Sequence, residues 1–186
     1  MNDGSKNITI SPIHLEKLRQ GVPDARHELY ILYSARMFSL CLRYAGSNEE
    51  AEDLLHEGFI QVFLCIHQFR GEGSLEGLMR RVFINTAIRQ YNKKKNQNAK
   101  VFEAFSPGHE IADLSGFDNM ALQDMLKIIQ SLSDGYRTVF NLFAIEGFSH
   151  REISQMLNIT EAKSKTQLYR AKSILQKTLI NIDSLM

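Results

Sequence analysis

Apolar residues recur at spacings of three and four along nearly all of this chain, and no stretch alternates apolar and polar positions over a strand's length. The pattern predicts an all-α protein. Ser11 before Pro12 reads as an N-cap and first-turn proline for a short helix to Gln20, stopped by Gly21. A longer helix is predicted from about Asp24 to Ala45, with Leu29, Leu32, Tyr33, Met37, Leu40, Cys41 and Tyr44 inward and Gly46 at its end. Ser47 starts a third helix. Ser47 and Glu50 have capping-box spacing, and Ala51, Leu54, Leu55, Gly58, Val62 and Ile66 form one buried stripe, the helix running to about Phe69. The glycines of Arg70-Gly71-Glu72-Gly73-Ser74 then break helicity. Ser74 caps a fourth helix in which Leu75, Leu78, Met79, Val82 and Phe83 point inward. Aligned stripes and short connections predict a compact bundle.

From about Lys93 to Asn119 the periodicity lapses into Asn, Gly, Ser and acidic residues, with Pro107-Gly108 in the middle. A linker of roughly 25 residues is long for the inside of one domain and marks a boundary. Beyond it, Leu122, Met125, Leu126 and Ile129 suggest a helix, and Ser133 caps another through Val139, Phe140, Leu142 and Phe143 to a stop at Gly147. Ser149 and Glu152 form a second capping box; the helix His150 to Leu157 ends at Asn158, and Thr160 caps a last helix to about Ile180. This is a helix-turn-helix pattern. Asn158 suits a left-handed turn, small Ser154 permits close approach, and Ile153, Leu157, Ile159 and Leu168 close the core between the helices.

Composition narrows the class. A chain of 186 residues with 44% hydrophobic and 23% charged residues suits a globular protein of one or two small domains. No apolar stretch approaches the roughly 20 residues that cross a bilayer, and the N-terminus MNDGSKNITI lacks the basic and apolar regions of a secretion signal, so no membrane insertion and a cytoplasmic location are expected. Cys41 and Cys65 make no disulfide framework and no CxxC metal site; two reduced, buried thiols are the expectation. The net charge of +1 conceals poles. Glu49 to Glu57 carries five carboxylates and no cation, Arg89 to Lys100 carries five cations and no carboxylate, and Lys163, Lys165, Arg170, Lys172 and Lys177 form a third block. Separated basic blocks suit a polyanion that touches the chain twice, although any one of them taken alone also fits a solvated helix face.

In a helix-turn-helix the start of the second helix enters the major groove, here Thr160 to Gln167. Gln reads adenine, Lys reaches guanine, and Arg170 and Lys172 are placed for backbone contact. The helix after Ser74 carries Arg80, Arg81 and Arg89 near Phe69, Phe83 and Tyr91. That set either holds unpaired bases or, for the aromatics, belongs to an ordinary core. The acidic helix suits a basic protein surface or plain solvation. Catalysis gains little support: the six His show no HExxH spacing, and RGEGSLEG lacks the strand and Lys-Ser/Thr of a phosphate loop. No cofactor, metal or enzyme activity is expected.

Two unrelated stretches carry a family resemblance. AEDLLHEGFIQVFLCIHQFRGEGSLEGLMRRVFINTAI and, after the linker, LSDGYRTVFNLFAIEGFSHREISQMLNITEAKSKTQLYRAKSIL resemble the extracytoplasmic-function group of bacterial sigma factors, in the family's order, over about Leu15 to Leu179. The resemblance implies two small helical domains: a sigma region 2-like bundle at 11–95, a linker at 96–119, and a sigma region 4-like helix-turn-helix at 120–182. It implies an initiation factor that takes core RNA polymerase to promoter DNA, with the beta-prime clamp helices and beta flap as contacts and an anti-sigma protein as a further partner. Glu52, Asp53, Leu54, Leu55 and Glu57 match the family's clamp-docking motif. Phe69, Arg70, Gly71, Glu72, Gly73, Ser74 and Leu75 match the loop that captures a flipped minus-10 base, and Asn85 matches an Asn that helps shape it. Lys163, Lys165, Thr166, Gln167 and Arg170 match the face that reads the minus-35 duplex.

Four positions depart from the family pattern: Leu78 in place of Trp, Arg89 of Asp, Ser164 of an aliphatic residue and Gln167 of Arg. The competing readings are a stand-alone helix-turn-helix regulator and a sigma-like adaptor that does not support initiation. The complete acidic motif weighs against the first, and the basic last helix against the second.

Overall fold

The computed structural model describes residues 11–98 and 120–183, and every regular element among them is helical. Ser11 accepts a hydrogen bond from the His14 amide and opens α1 (Pro12–Arg19), which ends where Gly21 takes φ +75°. Helix α2 (Pro23–Tyr44) buries Leu29, Tyr33, Met37, Leu40 and Cys41, whereas Leu32, predicted inward, is 43% exposed. Of the two thiols, Cys41 is buried and Cys65 only partly so.

Helix α3 (Asn48–Cys65) opens with half of the predicted capping box: Ser47 accepts from the Glu50 amide, but the Glu50 carboxylate takes the Gly46 amide and Lys94 Nζ. The helix stops short of Phe69. Its last turn tightens into a 3₁₀ turn over Ile66–Gln68, and Phe69 is extended, delivering the chain to Gly71 and Gly73 at φ +84° and +81°.

Helix α4 (Leu75–Asn98) runs through the segment read as the start of a linker. Lys and Gln are good helix formers, and this end is held from outside: Lys94 Nζ is 2.6 Å from a Glu50 oxygen, and Asn92 and Lys95 donate to carbonyls at the end of a later helix. The rest of the predicted linker, 99–119, lies outside the described residues. In the bundle core Phe83 is wholly buried, edge-on to Phe59 at 5.4 Å and resting on Gly58, so it is a packing residue and not a platform for bases.

The second group is α5 (Met120–Gln130), α6 (Asp134–Phe140) widening into a π turn over Asn141–Ile145, α7 (His150–Leu157) and α8 (Glu161–Asp183). Met125, predicted inward, is 48% exposed, and Ser133 occupies the N-cap of α6 without a side-chain cap bond. This group packs on α2 and α4, and the buried apolar residues form one cluster across both groups. The end of α2 is capped in an unusual way. The carbonyls of Leu42, Arg43 and Tyr44, which have no partner within their own helix, accept from Gln130, Asn141 and Arg137.

Candidate nucleic-acid interface

The α3–α4 loop is open and polar. Arg70, Gly71, Glu72, Gly73 and Ser74 are exposed, Phe69 is half-buried, and Leu75 turns into the core. Phe69 is pinned from behind, its carbonyl accepting from Nε and Nη2 of Arg19. Arg70, Glu72, Gly73 and Ser74 line an open hollow of about 570 Å³ with Leu78 and Arg81 on its α4 wall. With Leu78 at this position the wall is aliphatic and lacks the aromatic face a Trp would give. Asn85 does not share this hollow. It lines a neighbouring groove of about 560 Å³ with Gln61, Arg89, Asn92 and, from α7, Met156. Arg89 Nη2 donates to Thr86 Oγ1 at 3.0 Å beside that groove.

On α3 the structure separates the five predicted docking residues. Glu52 and Asp53 are exposed, Glu57 is half-buried and accepts from Gln61 at 2.8 Å, and Leu54 and Leu55 face the core. The leucines therefore fix the helix that presents the acids.

The helix-turn-helix forms as its sequence requires. Ser149 and Glu152 make a reciprocal capping box, and those hydrogen bonds hold the Glu152 carboxyl below its ordinary range. Asn158 is left-handed at φ 49°, ψ 56°, and Thr160 Oγ1 accepts from the Lys163 amide. Ile153 and Leu157 are fully buried against Leu168, while the Ser154 hydroxyl turns back to the Arg151 carbonyl. Lys163, Lys165, Thr166 and Arg170 are exposed, with Arg170 Nη1 donating to the Tyr136 hydroxyl at 3.2 Å. Tyr169, 76% exposed, extends the same surface.

Gln167 stands apart from that exposed set. Its side chain is half-buried beside Gly135, on the side where the Tyr91 hydroxyl of α4 also approaches, and its carbonyl oxygen is buried without a hydrogen-bond partner. Burial and the nearby Asp134 carboxylate push the Tyr91 phenol upward, against the opposing effect of the neighbouring Gln167 amide. Ser164 is wholly buried and meets His150, whose ring stacks on Phe143 at 4.5 Å.

Several residues that sequence reasoning did not single out join the two helical groups. Arg137 is 1% exposed and spends its guanidinium on the carbonyls of Tyr44, Gln130 and Leu132 and on Asp134. Glu146 sits between Arg43 and Arg80, at 3.2 and 2.9 Å. Neither contact across the groups had a local signal, because Tyr44 for Arg137, and Arg43 and Arg80 for Glu146, lie far away in the chain. Ser164 did carry one: a hydroxyl at a position where the family is usually aliphatic needs a polar neighbour when buried.

The family profile "Sigma-70 region 2" matches residues 29–97, and "Sigma-70, region 4" matches residues 122–175. Among curated proteins, the chain is similar to the ECF RNA polymerase sigma factor SigW of Bacillus subtilis, at 28% identity over 181 residues, 89% of this chain and 94% of that one. It is also similar to the RNA polymerase sigma-H factor of Pseudomonas aeruginosa, at 24% identity, 89% of this chain and 91% of the other. The ECF RNA polymerase sigma-E factor of Escherichia coli K12 is 24% identical, over 85% of this chain and 88% of its own. Among solved structures, the sigma factor RpoE of Bartonella quintana, crystallised with the anti-sigma factor NepR, aligns at 20% identity over 82% of this chain and 95% of that one, with a TM-score of 0.48. Among the described residues no helix is long and apolar enough to cross a membrane, and no cluster of His, Cys, Asp and Glu is suited to a metal ion.

Proposed function

The chain belongs to the sigma-70 family of RNA polymerase sigma factors, of the extracytoplasmic-function kind, and from that premise we propose that it binds core RNA polymerase in the cytoplasm and directs initiation by reading two promoter elements. In this reading residues 11–95 form the polymerase-binding and minus-10 domain, 96–119 a linker, and 120–182 the minus-35 domain. Glu52, Asp53 and Glu57 dock on the beta-prime clamp helices, on a helix that Leu54 and Leu55 anchor to the core. The Phe69 to Leu75 loop takes a flipped base of the minus-10 strand, and Asn85 contacts the strand in the adjoining groove. Extruding a base costs a few kcal/mol, which stacking and a preformed hollow offset, so strand opening needs no catalytic group. Lys163, Lys165, Thr166, Gln167 and Arg170 read the minus-35 duplex, with lysines and arginine on phosphates or guanine and Gln167 on adenine.

The observation that carries this reading is the division of charge over separate exposed surfaces: carboxylates of Glu52 and Asp53 on α3, cations of Lys163, Lys165 and Arg170 on α8. Exposed carboxylates suit a basic protein partner and repel DNA, so the first surface supports a protein contact in addition to the DNA contact. Reversal of Glu52 and Asp53 to Lys is expected to weaken binding to core polymerase far more than binding of the free protein to promoter duplex. Equal loss of both activities would contradict the assignment.

A further inference from the structure

We propose that Arg19 of α1 is the positioning residue of the α3–α4 loop: its guanidinium fixes the Phe69 carbonyl and so sets how the loop presents its base-capturing face. The inference rests on the sigma-factor reading for the ligand, a flipped base of a single DNA strand, while the contact itself is a matter of geometry.

The loop needs a hold from outside. Phe69 leaves the 3₁₀ turn in extended conformation, so its carbonyl has no partner in the turn behind it. Gly71 and Gly73 follow at φ +84° and +81°, where glycine backbone is least restrained. The far end of the loop is held by its own helix: Ser74 Oγ accepts from the Gly77 amide at 3.3 Å, and the Ser74 carbonyl accepts from the Leu78 amide at 3.1 Å. Among the described residues, the hydrogen bonds that reach Phe69 to Ser74 from any helix other than α3 and α4 come from Arg19.

That contact is shaped on both sides. Arg19 Nε donates to the Phe69 carbonyl at 3.2 Å, and Nη2 donates to the same oxygen. Two donors of one rigid fork fix the guanidinium plane against the peptide, which a single flexible ammonium does not. On the other edge Nη1 donates to Glu16 Oε2 at 3.3 Å, while Glu16 Oε1 accepts from Gln20, so a braced carboxylate turns the fork toward the loop. Leu15, one turn before Arg19, supplies an apolar support: a Cβ on Gly71 would meet Leu15 Cδ2 at 3.8 Å, ordinary van der Waals contact. Helix α1 therefore backs the loop at Phe69 and again at Gly71.

Arg19 acts through Phe69 and not on the base. Phe69, Arg70, Glu72, Gly73 and Ser74 line the hollow, and Arg19 does not. Its contribution is preorganisation: a loop ordered before the strand arrives does not have to be ordered by it, so more of the interaction with the captured base appears as affinity. Helix α1 also precedes residues 29–97, so the family profile that covers the loop does not cover its support.

The test uses the full chain as wild type, Arg19→Ala and Arg19→Lys, with circular dichroism for helix content. Amide hydrogen exchange on the free proteins reads the hold. Arg19→Ala is expected to speed exchange severalfold at the Phe69 amide, which donates to Ile66 at 3.1 Å, and to leave the middle turns of α3 and α4 at wild-type rates. Each protein, bound to core polymerase, is then offered a pool of short single DNA strands randomised at every position, and the captured strands are sequenced. Arg19→Ala is expected to flatten the base preference of the wild type and to lower capture about tenfold, with the salt dependence of capture unchanged. Arg19→Lys, which keeps the charge but not the fork, is expected to fall between the two in both readouts, and it keeps the proposal testable should Arg19→Ala misfold. Unchanged exchange at Phe69 overturns the hold, and faster exchange with the base preference intact overturns its use. Full recovery by Arg19→Lys together with a shallower salt dependence in Arg19→Ala overturns positioning in favour of a phosphate contact. A wild-type complex without any base preference contradicts the sigma-factor reading of the loop, whereas the exchange rates decide the hold by themselves.

Discussion

His150 Nδ1 lies 2.9 Å from Ser164 Oγ, so the first residue of α7 is tied to the buried side of α8 and sets how the recognition helix sits on its partner. Burial, then Lys165 and Lys172 against the opposing Glu161, push the imidazole below its ordinary value of 6.5. The unfolded chain therefore takes up this proton first on acidification. The associated stability is complete above pH 6.5 and is lost as pH falls through the folded value. Urea denaturation is expected to show wild type losing stability below pH 6.5 more steeply than His150→Phe, which keeps the stack on Phe143 but does not titrate. Ser164→Ala is expected to cost about 1 kcal/mol at neutral pH. Parallel pH profiles for wild type and His150→Phe would contradict this account.

Gly58 lets α3 approach α4. A Cβ built there meets Phe83 Cε1 at 2.3 Å, and that ring is wholly enclosed. Gly58→Ala is expected to destabilise by about 1–3 kcal/mol in thermal melts, and Phe83→Leu in the same chain should recover part of the loss. A silent Gly58→Ala would mean the two helices are not packed this closely.

Arg137 is the costliest polar side chain to remove. Arg137→Leu leaves the carbonyls of Tyr44, Gln130 and Leu132 without this donor, and a loss of roughly 3 kcal/mol or more is expected in chemical denaturation. A loss below about 1 kcal/mol would show that water replaces the guanidinium without cost.

These interactions mark where sequence reading stopped. Features encoded within a few residues were legible: the Ser149–Glu152 box, the left-handed Asn158, the positive-φ glycines of the loop and the buried stripe of α3. Features that depend on distant partners were not. Arg137 meets Tyr44 across 93 positions and Glu146 meets Arg43 across 103, so no periodicity announces either. The polar end of α4 was read as linker because its composition changes there, whereas Glu50 and the carbonyls of α7 hold it helical. The candidate site residues are proposed from motif alone, and motif spacing did not reveal that Gln167 is half-buried beside Gly135 and Tyr91 while Lys163 and Lys165 are exposed.

Lys165 is exposed on the recognition helix, one residue beyond the buried Ser164. Lys165→Ala is expected to alter the preferred upstream element and, where the lysine neutralises a phosphate, to lower the salt dependence of duplex binding by about one unit of slope. Selection of promoters from a randomised library reads both elements at once. A changed preference confined to the downstream element would contradict the placement of this residue.

The central claim is that this chain turns core RNA polymerase into a promoter-specific enzyme. Purified protein added to core polymerase on a promoter library, with transcript start sites sequenced, is expected to yield a set of starts sharing an upstream and a downstream element, absent with core alone and lost with Glu52→Lys and Asp53→Lys together. Starts indistinguishable from those of core alone, from a folded protein that still binds promoter duplex, would contradict the account and leave a stand-alone DNA-binding regulator in its place.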